Sequence, residues 1–73
     1  MIRFVYKLEL VDDGVQTDEY FDQFWNANEF GNRWMMQHLA EGYEPERSFT
    51  DYRGAVHKDG KMKSFNIEII ELK

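Results

Sequence analysis

The chain has 73 residues, twelve of them aromatic, and carries a formal net charge of −5 at pH 7. This length predicts a single domain over residues 1–73, and the charged fraction of 32%, with no apolar run near the roughly 20 residues that span a bilayer, excludes a membrane-spanning helix. The absence of cysteine excludes disulfides and thiolate chemistry, and it favours a cytoplasmic location because small secreted domains usually need such cross-links.

The first part of the chain predicts a β-hairpin over residues 2–25. Residues 2–11 alternate apolar and polar side chains, which is the period of a strand with one buried and one solvated face. Asp12-Asp13-Gly14 predicts the turn, because glycine accepts the positive φ that tight hairpin turns require.

The return strand, predicted over residues 15–25, has two possible face assignments. A two-residue turn places Phe21 and Trp25 on the core side, whereas a three-residue turn places Tyr20 and Phe24 there. A slip of one residue exchanges the two faces of a strand, so the sequence leaves both assignments open.

A helix is predicted over residues 27–41. Asn26 or Asn28 can cap its first turn, where Glu29 is favourably placed beside the helix dipole. Gly42 fits the left-handed residue that commonly ends a helix. The helical spacing places Trp34 on the buried stripe.

A second hairpin is predicted over residues 47–72, around the turn Asp59-Gly60. The alternation of the last strand places Phe65 on the core side, and Gly54 opposite it leaves room for the ring. The Ile69-Ile70 doublet interrupts this alternation and indicates a bulge or burial on both faces. The predicted pairs are Val56 with Lys63, Gly54 with Phe65, and Tyr52 with Ile67.

These elements predict an α+β fold of order ββαββ. Two hairpins form a four-stranded, mainly antiparallel sheet, and one helix packs on one face of it. The first and last strands are the most apolar, so we expect them side by side in the middle of the sheet.

No catalytic or metal-binding apparatus is visible in the sequence. The turn at Asp12-Asp13-Gly14 lacks the alternating carboxylates of a calcium loop, and neither histidine has another His or Cys at ligand spacing. The side chains that nucleophilic catalysis could use have no surrounding motif; they are Ser48, Ser64, His38 and His57. We therefore predict a protein that is not an enzyme and binds no metal or cofactor.

The negative charge is concentrated in the first half of the chain. Residues 8–32 contain seven acids and no Lys or Arg, whereas residues 33–73 sum to zero. Phosphate affinity comes mainly from Lys and Arg, so the net charge argues against direct nucleic-acid binding. The second hairpin does carry a basic group that keeps a nucleic-acid binder as an alternative: Arg47, Arg53, Lys58, Lys61 and Lys63.

Acids interleaved with aromatic residues favour a protein-binding surface, with the rings as anchors and the charges steering encounter. The leading hypothesis is a small interaction module that binds a basic or nucleic-acid-binding surface of a partner protein through its acidic first hairpin. A concrete version of it is an inhibitor of the phage-antagonist type. The predicted contact residues are Asp12, Asp13, Asp18, Glu19, Tyr20, Asp22, Phe24, Trp25 and Glu29.

Two conditions bear on this hypothesis. If two or more of the aromatic rings between residues 20 and 25 are exposed beside the acids, the hairpin is a binding surface; if they are buried, the acids form a solvated rim.

An edge strand with ambiguous register could also pair with its own copy. The other alternative is therefore a homo-oligomeric structural or accessory protein, and the chain is expected to be a monomer or a homodimer.

Overall fold

The structure of the protein is a computed structural model that describes residues 3–47 and 49–72. Ile2 of the predicted first strand and Ser48 of the candidate nucleophiles lie outside these residues. The elements in chain order are β1 (Arg3–Asp12), β2 (Val15–Phe21), α1 (Phe24–Ala40), β3 (Glu44–Pro45), β4 (Arg53–Lys58) and β5 (Lys61–Leu72).

The strands form one antiparallel sheet in the order β2-β1-β5-β4-β3, with α1 on one face. The predicted α+β class and the central position of the first and last strands are confirmed. The predicted number of four strands is wrong, because β3 adds a fifth at the outer edge of β4. This strand has only two residues, one of them Pro45, which is tolerated at a sheet edge and leaves no alternating pattern to recognise.

Both hairpins close through two-residue turns. Asp13 and Gly14 have φ values of 50° and 88°, and Asp59 and Gly60 have 51° and 79°, the positive values of a type I′ turn. The first turn pairs Asp12 with Val15 and so selects one of the two predicted registers. In that register the side chain of Phe21 lies on the helix side of the sheet.

The helix begins at Phe24, three residues before its predicted start, so residues 24 and 25 are not part of the return strand. The N-cap is Gln23, without a side-chain capping bond, and the first turn contains no acid. The predicted cap at Asn26 or Asn28 is therefore wrong. Packing explains the earlier start, because Phe24 turns toward the core and contacts Tyr6 with ring centroids 6.0 Å apart.

The helix ends as predicted at Gly42, whose φ is 97°. The backbone N–H of Tyr43 donates to the carbonyl of His38 (3.1 Å), and that of Gly42 donates to Leu39 (3.1 Å). These two bonds are the Schellman pattern, which satisfies carbonyls that the last turn leaves open. The last helical residue is Ala40, one before the predicted end.

The core lies between α1 and the three strands β1, β5 and β4. Phe65 is its largest fully buried side chain, and Trp34 is half-buried at the border rather than central. The register is continuous through Ile69 and Ile70, so the predicted bulge is absent there. Their side chains lie on opposite faces, but burial on both faces is also wrong because Ile69 is 50% exposed. The buried apolar residues are Leu8, Leu10, Ala27, Met35, Val56, Phe65 and Ile67.

Gly54 pairs with Phe65 as predicted, but a different ring occupies the space above it. A Cβ placed on Gly54 would lie 2.7 Å from two ring carbons of Phe49. The Phe49 ring in turn contacts Phe65 edge to face, with centroids 6.0 Å apart. Phe49 lies in the loop between β3 and β4, where no periodic pattern indicates a contact with the core.

Candidate partner-binding surfaces

The middle of β2 presents its predicted contact residues on two different faces. Tyr20 and Asp18 pair with Lys7 and Glu9, so their side chains lie on the sheet face opposite the helix, and the Tyr20 ring is exposed. Glu19 pairs with Leu8 and lies on the helix side. The acids of this strand therefore do not form one surface.

Lys7 is the centre of the charges on the face opposite the helix. Its Nζ lies 3.3 Å from a carboxylate oxygen of Glu9, 3.8 Å from Asp18 and 3.9 Å from Glu68. Hydrogen bonding to Glu9, followed by the charge of Asp18, raises the pKa of Lys7 above its ordinary value. Two acids of the first hairpin are thus partly neutralised within the chain.

Three further predicted contact residues lie away from the middle of β2. Asp12 and Asp13 are at the turn end of the hairpin, where Asp12 forms an ion pair with Lys63 of β5. Glu29 lies on the helix and forms an ion pair with Arg33 at 2.7 Å. The charges of Asp12 and Glu29 are therefore engaged locally, which reduces the acidic field expected from the sequence.

Lys63 is the only buried lysine or arginine in the described part of the chain, and its side chain is 11% exposed. It pairs with Asp12, and its Nζ lies 5.5 Å from the ring centroid of Tyr43. The hydrogen bond to Asp12 raises the pKa of Lys63, against the opposing effect of burial. Because the folded-state pKa is raised, this pair stabilises the fold below the ordinary lysine value of 10.5 and is lost as pH rises through the folded-state pKa.

We expect Asp12→Asn to lower the free energy of unfolding by about 1 kcal/mol at pH 7, because it leaves a buried ammonium without its carboxylate. Lys63→Met should change stability by less than that, since methionine fills the buried volume of the lysine chain and the Asp12 carboxylate left behind is 54% exposed to water. Urea denaturation of both variants measures the difference. A larger loss in Lys63→Met than in Asp12→Asn would contradict this account.

Four aromatic rings meet where the helix begins, and we call this cluster the aromatic end: Tyr6, Phe24, Trp25 and Tyr52. Phe24 contacts Tyr6 on one side and Tyr52 on the other, where the ring centroids are 4.7 Å apart in an edge-to-face arrangement. Phe24 and Trp25 were predicted contact residues. Tyr52 was not, because it reaches the cluster from the loop before β4, far away in the sequence.

Two rings of the aromatic end, those of Trp25 and Tyr52, are exposed to solvent. Trp25 is 64% exposed and Tyr52 is 48% exposed. With Phe24, Asn28 and Asp51 they line a shallow depression of about 380 Å³. The Asn28 side chain donates to the Asp51 carbonyl at 2.7 Å and ties the loop to the helix, while the Trp25 indole N–H donates to the Gln23 side chain.

Three carboxylates border the aromatic end without ion-pair partners among residues 3–47 and 49–72. Asp22 precedes the helix, and Asp51 precedes Tyr52 in the loop. Glu71 lies on the helix side of β5, opposite Phe4 and two residues beyond Ile69, which pairs with Tyr6. The predicted combination of exposed rings and acids is therefore present, but its members come from three separate parts of the chain.

Tyr20 and Trp25 are both exposed, but Tyr20 lies on the sheet face opposite the helix and Trp25 lies on the helix, so they do not form one surface on the first hairpin. Of the predicted set, the structure brings only Asp22, Phe24 and Trp25 together. Asp51, Tyr52 and Glu71 join them and were missed. Only Tyr52 had a signal, as an aromatic residue predicted to pair with Ile67.

The two histidines considered for catalysis both lie beside carboxylates. His38 is buried between the rings of Trp34 and Tyr43, and its Nδ1 lies 2.8 Å from a carboxylate oxygen of Glu41. His57 lies between Glu44 and Glu46 at the sheet edge. The part of the chain that the structure describes contains no group of three or more His, Cys, Asp or Glu side chains placed to hold a metal.

The second hairpin presents a limited basic surface. Lys63 is buried, and the Lys58 ammonium donates to the Glu41 carbonyl at 2.8 Å. The open face of the sheet carries one aromatic side chain, Tyr20, because the other strand rings point toward the helix. A base-stacking platform of the kind found in sheet-surface RNA binders would need several rings there.

No family model, curated protein or solved structure matches this chain. None of the helices in the described residues is both long and apolar enough to cross a membrane.

Proposed function

We propose that the chain is a small protein-interaction module that binds a partner protein with a basic surface, and that the aromatic end is its anchor. The observation that carries this proposal is the exposure of Trp25 and Tyr52 around the half-buried ring of Phe24. Tryptophan and tyrosine are enriched among residues that dominate binding energy, because each buries a large area at low conformational cost.

Restraint of these rings supports the proposal. Phe24 is wedged between Tyr6 and Tyr52, and the Asn28 bond to Asp51 fixes the loop beside them. Rings already held in position lose little side-chain entropy when a partner covers them, so more of the buried area contributes to affinity. Trp25 and Tyr52 border the same depression, which an apolar side chain of the partner would fill.

The acids around the aromatic end support a basic rim on the partner. Asp22, Asp51 and Glu71 are exposed and lack counter-ions among the described residues. Charges at the rim of an interface mainly accelerate encounter and select the partner, while the central rings supply affinity. A partner whose Lys and Arg side chains normally contact phosphate would fit, with the carboxylates taking the place of phosphates; this is the inhibitor version of the proposal.

The test begins with capture of a partner from the source organism by the wild-type chain, followed by affinity measurements with the purified partner. We expect Trp25→Ala and Tyr52→Ala each to weaken binding by roughly tenfold or more. Asp22→Lys and Asp51→Lys should slow association and reduce its dependence on salt.

Matched controls separate the aromatic end from the rest of the surface. Met36→Ala removes an exposed apolar side chain from a later turn of the helix, and Glu44→Lys makes the same charge change at the opposite sheet edge. Both should bind within about twofold of wild type, because exposed residues outside the interface contribute little to affinity. Equal affinity of the wild type and the Trp25→Ala/Tyr52→Ala double variant would reject the aromatic end as the anchor.

A further inference from the structure

The central ladder of the sheet extends beyond its neighbours at one end. β2 stops opposite Tyr6, and β4 stops opposite Asn66. The pairs of Arg3 with Leu72 and of Val5 with Ile70 continue past both points. Residues 3–5 and 70–72 therefore form only two strands, whereas Glu68 and Ile69 have β1 and β2 on one side and, among the described residues, no strand on the other. We call residues 3–5 and 68–72 together the ribbon.

The ribbon carries apolar side chains on both faces. Phe4 and Ile69 lie on the helix side, where Ile69 is 50% exposed, and Val5, Ile70 and Leu72 lie on the opposite side. A two-stranded ribbon alone is marginally stable in water, and further strands are needed to cover an apolar face. Pairing with another strand would therefore stabilise the ribbon more than the other parts of the fold.

The outer edge of β5 has backbone groups available for such a strand. The N–H of Ile67 donates to the carbonyl of Tyr52 at 2.6 Å, so this residue directs its backbone groups away from β1. Backbone direction alternates along a strand, so Ile69 and Glu71 direct theirs to the same side. Within residues 3–47 and 49–72, no strand pairs with that side of β5 beyond Ile67.

We propose that a second copy of this chain pairs antiparallel with the free edge of β5, with the two-fold axis beside Ile70. In this register Ile70 faces Ile70 of the second copy, Ile69 faces Glu71, and Glu68 faces Leu72. The hydrogen-bonding residues Ile69 and Glu71 then meet each other across the axis, as an antiparallel pair requires. No glutamate directly faces another glutamate.

The arrangement of charged residues also supports a second copy of the chain as the partner at the free edge of β5. On the face opposite the helix, one row across the joined sheet contains Arg3, Leu72 and Glu68 of the second copy. The two-fold axis repeats this row, so each copy supplies an arginine on one side and a glutamate on the other. Arg3 and Glu68 of the second copy lie two strands apart on either side of Leu72, and Glu68 also lies 3.9 Å from Lys7 of its own copy. The attraction between these opposite charges is modest, and it favours this register over one that brings like charges together.

The sheet ends in β2 on one side and in the two-residue β3 on the other, and the longer of these edges, on β2, disfavours the two central self-pairings. Its alternation directs the backbone groups of Gln16, Asp18 and Tyr20 outward, because the odd-numbered residues face β1 across the two-residue turn. An antiparallel pair centred on this strand places Asp18 opposite Asp18, and a shift by one pair places Glu19 opposite Glu19. Like charges directly opposite are destabilising, and such charges are a common protection of edge strands.

The size of the contact predicts a weak dimer. Only five residues of each copy pair, so each copy buries a smaller area than the roughly 800 Å² per partner of a standard stable interface. We therefore expect a dissociation constant in the micromolar range, about 10–100 μM, and a monomer at lower concentrations. The dimer would place two aromatic ends on the same side of one sheet, but its formation does not depend on their function.

Sedimentation velocity of the full chain between about 1 μM and 1 mM tests the proposal, and we expect the wild type to shift from monomer to dimer mass over this range. Glu71→Pro removes an outward N–H, which an edge strand tolerates, and should abolish the dimer. Glu71→Ala removes the same charge but keeps the N–H, and should dimerise within about threefold of wild type. Asp18→Pro makes the corresponding change on the β2 edge and should leave the dimer intact.

A wild type that stays monomeric at 1 mM overturns the proposal, and so does a folded Glu71→Pro variant that dimerises like wild type. Loss of the dimer in Asp18→Pro alone would assign self-association to β2 instead. Amide resonances of the wild type provide a readout that no substitution can disturb. The N–H groups of Ile69 and Glu71 should become protected from exchange as concentration rises, and unchanged protection would also reject this interface.

Discussion

Phe65→Ala is expected to remove most of the stability of this domain. Phe65 is 2% exposed at the centre of the core, where it contacts the Phe49 ring and lies beside Gly31 of the helix. Truncation of a buried Phe costs about 3–5 kcal/mol through lost transfer energy and the cavity left behind. A domain of this size has a total of roughly 4–11 kcal/mol, so we expect a fall in Tm of about 15–30 °C.

Phe30→Ala is the matched control, because it removes the same ring from a half-exposed position on the helix. Phe30 contacts Phe21 with ring centroids 5.7 Å apart but is 43% exposed, so its loss should cost about 1 kcal/mol. Thermal and urea unfolding of the two variants provide the comparison. If both truncations cost the same, Phe65 is not the centre of the core.

Gly54→Ala is expected to destabilise the fold by about 1–3 kcal/mol, the usual cost of overfilling a packed site. The new methyl group would lie 2.7 Å from Cε1 and Cζ of Phe49, so the ring must leave its place over β4. The backbone of Gly54 is not in the positive-φ region, and the expected cost is therefore one of space and not of backbone strain.

A double-mutant cycle tests whether the Phe49 ring is what excludes a methyl group at position 54. In a Phe49→Ala background the ring is gone, and Gly54→Ala should become neutral or stabilising by up to about 1 kcal/mol, because alanine restricts the unfolded chain more than glycine does. The free energies of unfolding of the four proteins give the coupling between the two sites. Equal costs in both backgrounds would show that Phe49 does not confine this position.

The parts of the fold that the sequence predicts correctly have local physical causes. The turns at Asp13-Gly14 and Asp59-Gly60 need positive φ, and the alternation of β1 and β5 follows from one buried face. The helix start was misplaced because Phe24 and Trp25 continue the apolar pattern of β2. Tertiary packing of Phe24 on Tyr6 decided that boundary, and no local capping signal marks it.

The candidate site was only partly predictable for a related reason. Asp22, Phe24 and Trp25 are neighbours in sequence, so their association with each other was visible. Tyr52 and Asp51 join them through a loop whose position depends on the Asn28 bond, and Glu71 joins through the β1–β5 register. The ion pairs Lys7–Glu68 and Lys63–Asp12 join strands far apart in the sequence, and for this reason the number of unpaired acids on the first hairpin was overestimated.

The central β1–β5 ladder has a consequence for how the chain folds. It joins the two ends of the sequence, whereas each hairpin closes over only two residues. Hairpins form in microseconds, but the long loop between β1 and β5 must close before the core exists, so this closure should limit the folding rate. Neither half buries a core alone. The domain should therefore fold in one cooperative step, and two fragments divided between α1 and β4 should fold only when mixed.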